Sequence, residues 1–162
     1  MSVGPRVVFL RFLSLESPKL QPWRAHFTRV VGREPVIVAR DGSVEVGVVT
    51  WQLVSANNRP LGRSGATFLA FADAVASAQY AVDCHDRLDF ELVADGLSGM
   101  YGWFATVEGE VVLSCARWYL TERDRRKSIT LASDSLAIAA LGAGARSINP
   151  ALMASRQGVG PW

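Results

Sequence analysis

Apolar and polar positions along this chain change period several times, and two stretches do so in the same order. From Trp51, the residues Trp51, Leu53 and Ser55 alternate with Gln52 and Val54. Strand side chains point to opposite faces with period two, so this predicts a strand. Asn57-Asn58 follow, and Asn tolerates the positive φ of a tight hairpin turn. Leu61 to Ser64 then reads as a short strand. Phe71, Val75, Ala78 and Val82 recur at helical spacing in an Ala-rich segment, which predicts a helix. Fifty residues later the succession returns. Tyr101, Trp103 and Ala105 alternate with Gly102, Phe104 and Thr106, Glu108-Gly109 supplies the turn, and Val111 to Ser114 the short strand. Aligned without a gap, Trp51 falls on Tyr101, Leu53 on Trp103, Leu61 on Val111, Ser64 on Ser114, Ala66 on Ala116 and Phe68 on Trp118. A second helix follows. Thr121 with Asp124 forms a loose capping box, and Ile129, Ala132 and Leu136 form its apolar stripe.

A further strand is predicted before each hairpin. Residues 35–39 lead into Asp41-Gly42, and residues 90–94 lead into Asp95-Gly96; Asp-Gly between extended segments is a strong hairpin signal. Each unit therefore reads strand, strand, strand, helix. In this it resembles the YegP-like family, small domains of unknown function that often occur in tandem. The residues that carry the resemblance are Trp51, Leu53, Asn57, Leu61, Ser64, Phe68, Ala74 and Ala78 in the first unit. In the second they are Trp103, Gly109, Val111, Ser114 and Trp118. Two departures stand out: Asn58 occupies a position where Gly is usual, and the second helix lacks the Ala pattern. The resemblance covers about residues 35–140 and implies an α+β fold. In it, two tandem β-β-β-α repeats merge into one pseudo-twofold antiparallel sheet with swapped strands and helices packed on it. It implies no active site.

The domain reading follows: 1–34 an N-terminal arm outside the repeat, 35–87 repeat one, 88–141 repeat two, 142–162 a weakly ordered tail. One unit of about fifty residues is near the size where apolar burial barely offsets chain entropy, whereas two units sharing a core are not. In the arm, residues 6–13 read as a strand or an apolar arm packed on the repeat. Trp23 to Val31 reads as a short helix with Trp23, Phe27 and Val30 or Val31 on one side. The arm is a candidate cover for a sheet edge. Ser135 to Leu141 adds a last strand or prolongs the helix. Because the units complete one another within one chain, a monomer is favoured over a homodimer.

Composition narrows the classes. At 49% hydrophobic residues and a mean hydropathy of +0.17, the chain reads as globular rather than disordered. The start, MSVGPRVVFLRFL, is too short for a membrane span and is broken by Arg11, so neither a membrane anchor nor an export signal is read there. Cys84 and Cys115 are too few for a disulfide framework and read as reduced thiols in a cytoplasmic protein. Net charge is +2, unevenly spread: residues 1–34 carry six basic and two acidic groups, which admits an anionic partner.

Candidate chemistry is sparse. Adjacent Cys84 and His85, with Cys115, hold the residue types of a thiol nucleophile or a zinc site. Neighbours on an extended link point apart, however, and zinc would lack a ligand. His26 is the other histidine and lies in the arm. Asp83, Asp86, Asp89 and Glu91 read as a solvated run. Neither a phosphate-binding Gly loop nor a Gly-x-Ser-x-Gly elbow occurs. Ser64 and Ser114 are expected to satisfy backbone groups at the strand-to-helix corners. The surface candidate is Arg117, Arg123, Arg125, Arg126 and Lys127, with Trp118 and Tyr119 nearby, a set suited to nucleic-acid or anion binding by charge and stacking. The sequence thus reads as a non-catalytic binding or interaction module without cofactor, metal or membrane contact, its partner open. An anion- or nucleic-acid-binding role is the first alternative and a thiol- or metal-dependent enzyme the second.

Overall fold

The computed structural model describes residues 4–40 and 45–148. Asp41-Gly42 and residues 149–162 of the expected tail lie outside the described residues. The fold is mixed α+β: a curled sheet with three helices. In chain order the elements are β1 (Arg6–Phe12), α1 (Gln21–Val31), β2 (Val36–Val38), β3 (Val48–Val54), β4 (Pro60–Ser64) and β5 (Ala66–Phe68). They continue with α2 (Phe71–Asp83), β6 (Asp89–Ala94), β7 (Tyr101–Val107), β8 (Glu110–Cys115), α3 (Glu122–Ile138) and β9 (Ala140–Ile148). Strands run β9-β1-β3-β4-β8-β7-β6, and β5 carries β2 alongside β3.

Helices cover both faces. On β1, Val7 and Phe9 enter one apolar cluster and Leu10 and Phe12 the other, as period two requires. The first cluster contains Trp51, Leu53, Trp103 and Leu113 and is closed by Ala74, Ala78 and Ala81 of α2 with Ala132 and Leu136 of α3. The second is closed by Trp23 and Phe27 of α1. That helix follows its predicted stripe and ends at Gly32, whose φ of 89° is the left-handed cap that glycine allows. In α2 the buried line is Ala74, Ala78 and Ala81, with Phe71, Val75 and Val82 half-buried beside it. Small side chains let the helix sit close to the sheet.

The turns behave as their residues require. Glu108 (φ 51°) and Gly109 (φ 82°) make a two-residue turn of primed type, and Asn58 (φ 65°) takes the left-handed position of its own turn, which asparagine tolerates. The hairpin expected at Asp95-Gly96 is a longer loop: Asp95 N donates to Met100 O and Gly99 N to Asp95 O, and Gly99 supplies the positive φ.

Three expectations are corrected. Residues 1–34 do not stand apart as an arm outside the repeat: the strand alternative for residues 6–13 holds, and that strand, β1, is internal to the sheet. It pairs antiparallel with β3, Phe9 opposite Trp51, and parallel with β9. It therefore stands beside β3 as β6 stands beside β7, the place expected for residues 35–39. Those residues instead give β2, short and half-exposed at Val36 and Ile37, pairing parallel with β5. Nor is the segment from 142 a weakly ordered tail throughout, since β9 extends through it to Ile148. Gly142 lies close against β1, where a side chain would meet Val7 O at 3.2 Å.

The third correction is the register between the units. Tyr101 is half-exposed, whereas Trp51 and Trp103 are both fully buried. Trp51 Nε1 donates to Ser77 Oγ of α2 (3.1 Å) and Trp103 Nε1 to Ser128 Oγ of α3 (3.0 Å). Trp51 N donates to Ser64 Oγ (3.3 Å) and Trp103 N to Cys115 Sγ (3.4 Å). Trp51 thus corresponds in environment to Trp103, and Ser64 to Cys115. The β4–β8 pairing agrees: Gly62 faces Cys115, Arg63 faces Ser114 and Ser64 faces Leu113. The pattern reads the same from either strand about Arg63 and Ser114. On β3 and β7 the gapless alignment errs by two residues, which keeps each residue on its side of the strand and conceals the slip; on β4 and β8 it errs by one, so that Ser64 corresponds to Cys115 and not to Ser114.

Candidate functional site

α3 begins at Thr121, whose Oγ1 accepts from Asp124 N (3.0 Å), so the predicted cap forms. From there the helical period divides the five cationic candidates. Leu136, Ala132, Ile129 and Arg125 fall on one line, and Arg125 is buried at 7% exposure. Its guanidinium donates to Val93 O (3.0 Å), pairs with Glu122 (3.4 Å) and stacks 5.1 Å from the Tyr101 ring. Arg125 is therefore a strut between α3 and β6, not part of a binding face. The apolar line extended one step toward the N-terminus was the signal that could have found it.

Arg123, Arg126 and Lys127 point the other way and are exposed. Arg126 and Lys127, with Thr130, Leu131 and Asp134, line a shallow recess of about 320 Å³ on the outer side of α3. Leu131 is 49% exposed, an apolar floor among charges. Among the described residues none of the three cations makes an ion pair. Arg117 lies before the helix, exposed, 5.5 Å over the Tyr119 ring. A run of hydroxyls supports this corner: Trp103 Nε1 donates to Ser128 Oγ, and Ser128 Oγ donates to Tyr119 OH (2.6 Å). Burial holds the Tyr119 phenol above its ordinary range.

The sulfur-histidine candidates are distributed differently from the expectation. Cys84 Sγ accepts from Arg87 (2.9 Å), while His85 Nδ1 meets Val82 O (2.8 Å). The histidine near a thiol is His26, with Nε2 3.6 Å from Cys115 Sγ. Sequence reasoning missed this pair because α1 brings His26 across the sheet. Its geometry is not that of a nucleophile and its base. His26 Nε2 lies nearer Cys115 O, at 3.1 Å; facing a carbonyl, that nitrogen carries the proton and donates, so it cannot also take one from the thiol. Burial lowers the His26 pKa and pushes the Cys115 thiol up to about 11, so both are neutral near pH 7. Both cysteines are buried free thiols. Among the described residues no group of three or more His, Cys, Asp or Glu is placed to hold a metal.

The two serines also differ. Ser64 Oγ accepts from Trp51 N and donates to Ala66 O (2.9 Å), the backbone-satisfying role expected of it. Ser114 is not its equivalent: its hydroxyl is buried with no partner among the described residues. A second polar knot ties α1 to the β6–β7 loop. Asp95 pairs with Arg29 and accepts from Ser98 Oγ (2.5 Å) and the amides of Leu97 and Ser98 (3.4 and 3.2 Å). Arg29 in turn lies 5.7 Å over the Trp118 ring, which meets His26 edge-on.

Among the described residues no helix is long and apolar enough to cross a membrane. No protein-family model matches the chain and no curated protein matches it. Among solved structures the chain is similar to the solution structure of a protein of unknown function, yegP from E. coli. Identity is 12% and the TM-score 0.47, over 71% of this chain and 92% of that one. Its name is that of the family which the sequence motifs resemble.

Proposed function

We propose that this protein is a non-catalytic interaction module that receives an anionic partner on the outer face of α3. The observation that carries the reading is the placement of Arg123, Arg126 and Lys127 on one exposed helix face, where Arg126 and Lys127 line a recess with Leu131 and a single carboxylate, Asp134. The potentially reactive groups support it from the other side. Cys115 is a buried neutral thiol, His26 is engaged by a carbonyl, and the Ser64, Ser77 and Ser128 hydroxyls hold the two tryptophans. Single-stranded nucleic acid is the partner to test first, because Arg117 stacked on Tyr119 flanks the helix start with a cation and a ring. The reading carries with it a cytoplasmic setting and a monomer. We also infer that the two tryptophan-centred units descend from one duplicated segment, supported by their matching hydrogen bonds and by the symmetric β4–β8 pairing.

The test is a titration of labelled single-stranded DNA and RNA at low salt. Binding is expected to weaken with salt at a log-log slope of about −2, the value for three neutralised phosphates on a single strand. The triple variant Arg123→Glu, Arg126→Glu, Lys127→Glu should abolish it without lowering the melting temperature. Absence of binding by the wild type at low salt eliminates nucleic acid. An acidic polypeptide tested against the same triple variant then decides whether the face receives anions at all.

A further inference from the structure

The face of the sheet under α1 carries polar side chains in a row where apolar ones would pack. In register, Gln52 of β3 stands opposite Arg63 of β4, and Arg63 opposite Ser114 of β8. Residues directly opposite share a face, so the three lie side by side across the sheet. Gln52 is 6% exposed and Ser114 1%. From above, α1 lowers Trp23, 4% exposed, toward the same row. Trp23 Nε1, Gln52 Oε1 and Ser114 Oγ have no hydrogen-bond partner among the described residues. A buried polar atom stripped of water and given nothing in return is strongly disfavoured. Two of these residues, Trp23 and Gln52, line one cavity, and their orphaned atoms point to an occupant.

That cavity has a volume of about 10 Å³ and is lined by Trp23, Gln52, Thr50, Lys19 and Arg63, with apolar walls that include Phe12. The volume is near the threshold for one water-sized occupant. Two of the lining side chains are cations and none is a carboxylate. Arg63 is felt beyond the cavity: after burial and the Cys115 carbonyl it is the next influence on His26, disfavouring its charged form.

We propose that this cavity binds one small monovalent anion of halide size. The Trp23 indole N–H points its dipole at the ion, and Thr50 supplies a hydroxyl. Lys19 and Arg63 provide the charge that a neutral water does not need. The Gln52 amide completes the shell with its nitrogen turned inward; which end of an amide faces a site is set by its hydrogen-bond partners. The site is independent of the α3 face and stands or falls without it. It makes α1 the lid of an anion site and links the packing of that helix to halide concentration.

The experiment uses the full chain in two measurements. Crystals soaked in bromide are expected to show an anomalous peak between Trp23 and Gln52. In parallel, thermal unfolding is followed at fixed ionic strength as chloride replaces gluconate, for the wild type, Trp23→Phe and Lys19→Gln. The wild type should melt higher as chloride rises, with a midpoint that reports the affinity. Trp23→Phe, which removes the donor and keeps a ring, should weaken that midpoint by about tenfold or more, as loss of a hydrogen bond to a charge implies. Lys19→Gln leaves the buried row intact and should shift the midpoint the same way, which keeps the test decisive if Trp23→Phe does not fold. An ordered water with no anomalous signal, or melting curves whose response to chloride is the same in all three proteins, overturns the proposal.

Discussion

Around Trp51 the sheet is enclosed. β3 runs between β1 and β4, all seven of its residues are buried, and β9 lies outside β1. Around Trp103 the same frame is left open. β7 runs between β6 and β8, but β6 has no strand beyond it among the described residues, and Leu92 stands 61% exposed there. The helices differ accordingly. α2 is thirteen residues, mostly small and apolar, while α3 is seventeen and charged along its outer side. Both halves hold their tryptophan by an indole N–H on a helix serine and a backbone amide on a side-chain oxygen or sulfur. The two halves are therefore finished differently, the first built inward and the second presenting surface.

The largest effects should come from breaking the shared frame. Trp51→Ala and Trp103→Ala are each expected to cost about 3–5 kcal/mol in urea unfolding, as full removal of a buried aromatic does. Trp51→Phe and Trp103→Phe keep a ring but lose the N–H, and each should cost about 1 kcal/mol beyond any packing change. Similar losses at both sites sustain the equivalence. A loss at Trp103 alone would mean that the enclosed half no longer depends on its serine.

The comparison also explains what the sequence made legible. Alternation around Trp51 and Trp103, both turns and the Thr121 cap could be read because each rests on a few neighbouring residues. β1 was harder, because Val7, Phe9, Leu10 and Phe12 are buried on both faces. A strand covered twice reads as a continuous apolar run and gives no period to align. Residues 35–39 drew the assignment instead, having the apolar run and the Asp-Gly that β1 lacks. At the candidate sites the limit was spatial. Gln52, Arg63 and Ser114 come from three strands, His26 and Cys115 lie 89 residues apart, and no local pattern joins them. Arg125 was hidden by its charged neighbours, although its place on the line of Ile129, Ala132 and Leu136 was visible.

A smaller effect separates the helix starts. α3 is capped by its own Thr121, but α2 follows Ala70, which has no capping atom. Glu45 fills the gap from a distant loop: its carboxylate accepts from Phe71 N (3.1 and 3.2 Å) and from Arg11 (2.8 Å). These contacts, Arg11 first and then the Phe71 amide, hold its pKa below the ordinary value. Thr121→Ala should cost about 1 kcal/mol irrespective of salt. Glu45→Gln should cost less than about 1 kcal/mol and the difference should shrink as salt screens an exposed pair. If both losses were equally indifferent to salt, Glu45 would be acting through shape and not charge.

A pH-dependent effect is expected where the open half is tied to α1. The Ser98 hydroxyl most strongly, then Arg29 and the Leu97 and Ser98 amides, lower the Asp95 pKa to about 2 from an ordinary 3.8, against the opposing effect of burial. A carboxylate whose folded value is depressed contributes stability above its unfolded value, and that contribution disappears as pH falls toward the folded one. The wild type should therefore lose stability between about pH 4 and pH 2 more steeply than Asp95→Asn, followed by urea midpoints across that range. Above pH 5 the two curves should run parallel, with the variant lower, because the wild-type carboxylate is then ionised in both states. If they also run parallel down to pH 2, the carboxylate's charge does not anchor the loop. The contact between α1 and the open half would then rest on Trp118, which meets His26 edge-on and lies beneath Arg29, a joint that acid does not loosen by way of Asp95.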